Sequence, residues 1–134
     1  MSKTLFNAGA ILLAGAMLFA IPVASSAAVT DYEFQAVKTD IEQGPGKSVA
    51  VRLIDKRTGK LVPDAVIFTT RMDMAPEGME TMTTSVEAAA STEPGVYVFT
   101  TNLSMEGGWR FQIAAKVQGE PETVQGELVL KAMP

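Results

Sequence analysis

The chain opens on a long apolar run and then settles into short stretches of alternating character. Ala8 to Ala24 carries no charged residue and is dominated by Ala, Leu, Ile, Met and Phe. Beyond it, Val49, Val51 and Leu53 share one face of the stretch 48–54, with Arg52 on the other. That period of two marks a half-buried strand. Trp109, Phe111, Ile113, Ala115 and Val117 repeat the pattern over 109–117, as do Val124, Leu128 and Leu130 over 123–131. Further β-type runs fall at 32–37, 65–70, 83–88 and 96–101. Turn formers separate them: Gln43-Gly44-Pro45-Gly46, Asp55 to Lys60, Pro63-Asp64, Glu93-Pro94-Gly95, Gly107-Gly108 and Gln118-Gly119-Glu120-Pro121. Pro followed by Gly suits a type II turn. Ala88-Ala89-Ala90 is too short to stand as a helix, and no stretch sustains a helical apolar period. The pattern predicts an all-β, immunoglobulin-like sandwich of about seven strands behind an N-terminal signal segment.

The first segment has the three parts of a secretory signal. Lys3 is positive, the apolar run follows, Pro22 breaks it, and Ser25-Ser26-Ala27-Ala28 offers small residues for cleavage. Residues 1–27 are therefore expected to be a signal peptide and 28–134 a single exported domain, periplasmic in location. Cleavage after Ala27 and after Ala28 fit equally. The alternative is an uncleaved anchor, because an apolar run of about 17 residues sits at the short edge of what spans a bilayer. The membrane is a partner only in that case. With no Cys near the cleavage region, a lipoprotein anchor is not expected.

Charge and composition narrow the function. The chain carries a net charge of −4, which becomes −5 once Lys3 leaves with the signal. An acidic chain argues against nucleic acid as a partner. A domain of about 100 residues buries one core. There is no His and no Cys. The commonest general base, the commonest metal ligand and the thiol nucleophile are all missing. No Gly-rich phosphate cradle precedes a helix, and no carboxylate pair stands out. The expectation is a protein that is not an enzyme.

One constellation is unusual. Of the eight Met, Met1 and Met17 belong to the signal. Among the rest, Met72, Met74, Met79 and Met82 crowd together, and Met105 precedes Trp109 by four positions. Only Met133 stands apart. Met72 and Met74 are an i, i+2 pair, so in an extended chain their thioethers project from one face. Ala75-Pro76-Glu77-Gly78 is a turn-forming insert that lets the segment fold back and converge three or four sulfurs. Thioether is a soft, neutral ligand suited to Cu(I) or Ag(I) and poor for Zn(II), Mg(II) or Ca(II). Asp73, Glu77, Glu80 and Glu106 lie beside the Met and can balance a cation's charge. The competing reading is packing, since Met is an adaptable filler of cores and of apolar interfaces. Against it, the polar and turn-forming neighbours read as an exposed loop. Trp109, by the same weighing, is first a core aromatic.

Three segments carry a resemblance: 51–55 with Thr58-Gly59-Lys60-Leu61-Val62-Pro63-Asp64-Ala65; the Met-rich 71–79; and Pro94-Gly95-Val96-Tyr97 followed by Ser104-Met105-Glu106-Gly107-Gly108-Trp109. Over roughly 47–131 the chain resembles the YtkA-like/FixH-like family of small exported or membrane-anchored bacterial domains. The resemblance implies an immunoglobulin-like sandwich in the cell envelope, often linked to metal efflux or to copper supply for oxidases, and does not imply an enzyme. Carried onto this chain, it points to Met72, Met74, Met79 and Met82, with Met105 facing them and Trp109 capping a Cu(I) ion through its ring face. The expected ligand is Cu(I) or Ag(I), and the expected protein partner an efflux or oxidase assembly component. The alternative is an interaction module whose Met segment is a docking surface. The absence of His departs from many exported copper sites and disfavours tight Cu(II) binding.

Overall fold

The computed structural model describes residues 31–134. The expected signal peptide and its cleavage sites lie outside the described residues. Ten strands run in order: β1 (Tyr32–Ala36), β2 (Asp40–Glu42), β3 (Gly44–Asp55), β4 (Lys60–Leu61), β5 (Val66–Met74), β6 (Met79–Thr84), β7 (Val86–Ala89), β8 (Val96–Leu103), β9 (Gly107–Lys116) and β10 (Val124–Met133). A single turn of 3-10 helix, Ala75–Glu77, joins β5 to β6. One sheet has the order β1-β3-β8-β7, with β4 also on β3; the other has the order β2-β10-β9-β5-β6. All pairings are antiparallel except β2 with β10. The fold is an all-β, immunoglobulin-like sandwich.

The alternating faces read from the sequence form its interior. Val49, Val51, Leu53, Trp109, Phe111, Ile113, Ala115, Val124 and Leu130 are all buried. Phe99 of one sheet meets Phe111 of the other edge to face, centroids 5.2 Å apart at 80°, a favoured aromatic geometry. Phe34 of β1 packs so closely on β10 that a Cβ at Gly126 would lie 2.5 Å from its Cδ2. At the start of β8, the Tyr97 hydroxyl donates to the Val62 carbonyl and accepts the Ala65 N–H, fixing the chain that enters β5.

The differences from the sequence expectation are local. Gly44-Pro45-Gly46, read as a break, instead opens β3 through an irregular register against β8. Gly107-Gly108, also read as a break, begins β9. The expected strand 83–88 is two strands. The chain changes sheets at Ser85, pairing with β5 before it and with β8 after it. The short β2 and β4 gave no periodic signal, being three and two residues long.

The sandwich has two distinct ends. At one, the Asp55–Lys60 turn lies beside the start of β1, where the Tyr32 hydroxyl donates to Glu120 and accepts from Arg57. At the other end sit the β5–β6 connection, the β8–β9 connection and the start of β3. Among the described residues, no helix is long and apolar enough to cross a membrane.

Candidate functional site

The methionines gather at the second end, but at two depths. Met72 and Met74 are not in a loop. They are strand residues of β5, on its inner face, and both are completely buried at 0% exposure. Met72 lies opposite Phe111 on β9 and opposite Thr84 on β6. Met82 is half-buried against the core. Met79 and Met105 reach the surface, each 37% exposed.

The segment folds back as the turn-forming insert requires. Met74 pairs directly with Met79 across the β5–β6 ladder, and side chains opposite one another share a face with Cβ atoms about 5 Å apart. The left-handed Gly78, φ 76°, closes the turn by donating its N–H to the Ala75 carbonyl. Met82 is separated from this pair by an irregularity in the ladder.

Asp73 explains why a segment with loop-like composition is a strand. It alternates to the outer face, yet it is as buried as its Met neighbours. Its carboxylate accepts hydrogen bonds from Arg71 Nε and Arg110 Nη2, each at 2.8 Å, and from the Ala75 N–H at 2.9 Å. Burial by itself would push the Asp73 carboxyl up. The hydrogen bonds from Arg110, Ala75 and Arg71 outweigh that and hold it below the usual carboxylate range. Arg71 in turn donates to the Glu80 carbonyl at 2.8 Å. The clamp therefore organises β5, the turn and β6 together.

A second fastening joins the turn to the Met105 side. Glu77 accepts the Gly108 N–H. The glycine pair makes room for it: a Cβ at Gly108 would lie 2.9 Å from Pro76 Cβ, and one at Gly107 would lie 3.0 Å from Glu77 Oε2. The sequence flagged Glu77 only as a charge beside Met. The signal for its anchoring role is the Gly107-Gly108 pair, which leaves a backbone N–H open to a side chain.

Trp109 is fully buried, on the inner face of β9. Its indole N–H donates to the Met105 carbonyl at 3.0 Å. Trp109 thus holds the Met105 loop from beneath. Met133, set apart by sequence, ends at the same end of the sandwich: its carbonyl accepts the Gln43 N–H, and Gln43 Nε2 donates to the Ser104 carbonyl. Its side chain falls on the opposite face of the sheet from Leu130 and Ala132, by strand alternation.

Among the described residues, no group of three or more His, Cys, Asp or Glu is placed to hold a metal ion. The soft donors that this end offers to a cation are thioethers; of the neighbouring carboxylates, Glu77 is engaged by Gly108, while Glu80 and Glu106 are exposed beside Met79 and Met105.

Comparisons with known proteins follow the same outline. Two solved structures resemble the fold. One is the crystal structure of the Lin-41 filamin domain, 19% identical, covering 76% of this chain and 97% of that one at a TM-score of 0.46. The other is the ZirS C-terminal domain, 12% identical, covering 100% of this chain and 87% of that one at a TM-score of 0.41. No curated protein matches the sequence. The model of the YtkA-like family matches residues 26–114, a span that takes in β1 to β8, the Met-bearing hairpin, the Met105 loop and Trp109; the chain belongs to the YtkA-like family.

Proposed function

We propose that the mature chain is a non-enzymatic protein of the periplasm that binds Cu(I) or Ag(I) through thioethers and buffers the ion or delivers it to a partner. The observation that carries this reading is the fastening of two partly exposed methionines, Met79 and Met105, to one end of the sandwich. The ladder places Met74 beside Met79, and the Glu77–Gly108 hydrogen bond ties that hairpin to the strand following Met105. Soft monovalent ions favour such neutral sulfur donors. Met79 and Met105 are the accessible ligands. Met74 is buried opposite Met79, and Met72 and Met82 recruit to the ion only if the hairpin loosens. Two accessible thioethers give an exchangeable site, suited to handover more than to storage. Trp109, one loop below, reports on the site.

The test is an anaerobic Cu(I) titration of residues 28–134 against a competing chromophoric chelator, with Trp109 fluorescence read in parallel. Stoichiometric competition with quenching is the expected result. Absence of competition overturns the metal reading. The exposed Met79 and Met105 would then be a soft apolar docking patch for an efflux or oxidase assembly component, a role that cross-linking from position 79 would reveal.

A further inference from the structure

The far half of the sandwich carries a second, unrelated feature. β6 pairs with β5 only through Met72, Asp73 and Met74, so on that side the backbone of 66–71 has no ladder partner among the described residues. β7, the outer strand of the other sheet, runs past the same opening. Between them lies a groove of about 500 Å³, lined by Pro63, Ile67, Ala88, Val96, Tyr97 and Phe99 among others. Ala88 shows that the interior is uncovered there. It pairs with Phe99 and so shares its inward face, yet Phe99 is buried and Ala88 is exposed. On the rim, Val66 is 63% exposed and Phe68, the extra residue of a bulge against β9, is 53% exposed.

We propose that this opening takes an extended segment of a partner protein as an added strand against Val66–Thr70, with apolar side chains at alternate positions in the groove and a basic residue at its rim. An unpaired sheet edge offers N–H and C=O groups in a row, which an extended backbone satisfies best. Alternate residues of that strand face one side, and the groove lies on the inward side. The charge requirement comes from the rim: Glu93 is the one charged residue among those lining the groove, and Asp64 follows the lining residue Pro63. The stretch 66–70 has neither the charge nor the Pro that commonly blunts an exposed edge. The site stands at the opposite end of the strands from Met79 and Met105, and does not depend on metal.

The probe is a phage-displayed library of random dodecapeptides, panned against the full chain and against residues 28–134, whose described portion contains the whole core. Enriched peptides are expected to alternate apolar residues, to carry Lys or Arg, and to slow amide exchange at 66–71. Ala88→Arg, which fills the groove and opposes a basic ligand, should weaken the selected peptides by about tenfold or more with the unfolding midpoint unchanged. Glu93→Lys should remove the preference for basic peptides. No enrichment, protection elsewhere on the fold, or full affinity in Ala88→Arg overturns the proposal. So does slowed exchange at 66–71 without peptide, whether it accompanies self-association in sedimentation, which assigns the edge to a second copy, or appears in the full chain alone, which assigns it to the chain's own N-terminal segment.

Discussion

Glu77 and Gly108 lie 31 positions apart in sequence, and a 2.7 Å hydrogen bond from the Gly108 N–H to the Glu77 carboxylate unites them. This contact joins the hairpin bearing Met74 and Met79 to the strand that follows Met105. Glu77→Ala should cost about 1 kcal/mol, because the contact is exposed and only one partner is charged. Cu(I) affinity should fall more than this stability change alone implies, since the two Met-bearing segments are no longer held together. Urea unfolding and chelator competition on the same variant separate the two effects.

Crowding at the neighbouring position gives an independent check. Gly108→Ala places a Cβ 2.9 Å from Pro76. It should destabilise by about 1 to 3 kcal/mol, as overpacking generally does. A variant as stable as the parent, measured by thermal unfolding, would show that the turn does not dock on β9.

The two depths of methionine make opposite predictions. Met79→Leu with Met105→Leu keeps volume and polarity class, so stability should change by less than about 1.5 kcal/mol, while Cu(I) binding is lost. Met72→Ala and Met74→Ala each open a cavity in the core and should cost about 2 to 5 kcal/mol. If the leucine pair bound Cu(I) as tightly as the parent, the exposed thioethers would not be ligands.

Oxidation should sort the same residues. Under dilute peroxide, Met79 and Met105 should form sulfoxide well before Met72 and Met74, because the latter are inaccessible in the folded state. Bound Cu(I) should slow the first pair. Peptide mapping by mass spectrometry reads the order, and simultaneous oxidation of all four would contradict the buried placement.

Acid should act through Asp73. Its carboxyl titrates lower in the folded chain than in the unfolded one. The group therefore contributes its full stabilisation above the ordinary Asp value of about 3.9, and that contribution declines as pH falls below it towards the folded-state value. Asp73→Asn should cost about 1 to 3 kcal/mol near neutrality, since it replaces two charge-assisted hydrogen bonds, from Arg71 and the half-buried Arg110, by contacts to a neutral amide. It should also flatten the acid limb of the stability curve. Unfolding free energies measured from pH 7 down to pH 2 would show a parallel loss in both proteins if Asp73 played no part.

Much of the sandwich was legible because burial on one face imposes period two. Val49, Val51 and Leu53, and the run from Trp109 to Val117, place themselves by that rule alone. Met72 and Met74 misled for a physical reason. Asp73 between them looked like loop chemistry, but its charge is compensated by Arg110, 37 residues away, and no local window contains that partner. The stretch 83–88 misled differently. Its apolar pattern is continuous, and only the surrounding pairing shows that the chain leaves one sheet at Ser85 and joins the other. Met133 looked isolated because proximity between strand ends is set by topology, here the β2–β10 pairing, and not by spacing. The expectation about the export signal falls outside the described residues.

Asp31 and Tyr32 enter beside the Asp55–Lys60 turn, where Lys56 donates its N–H to the Asp31 carbonyl. Met79 and Met105 lie beyond the other end of β3, whose twelve residues extend for about 30 Å or more. The described chain therefore begins at the pole facing away from the sulfurs. A chain tethered by its beginning would hold the thioethers outward, one domain length from the tether, with the open sheet edge nearer the point of attachment.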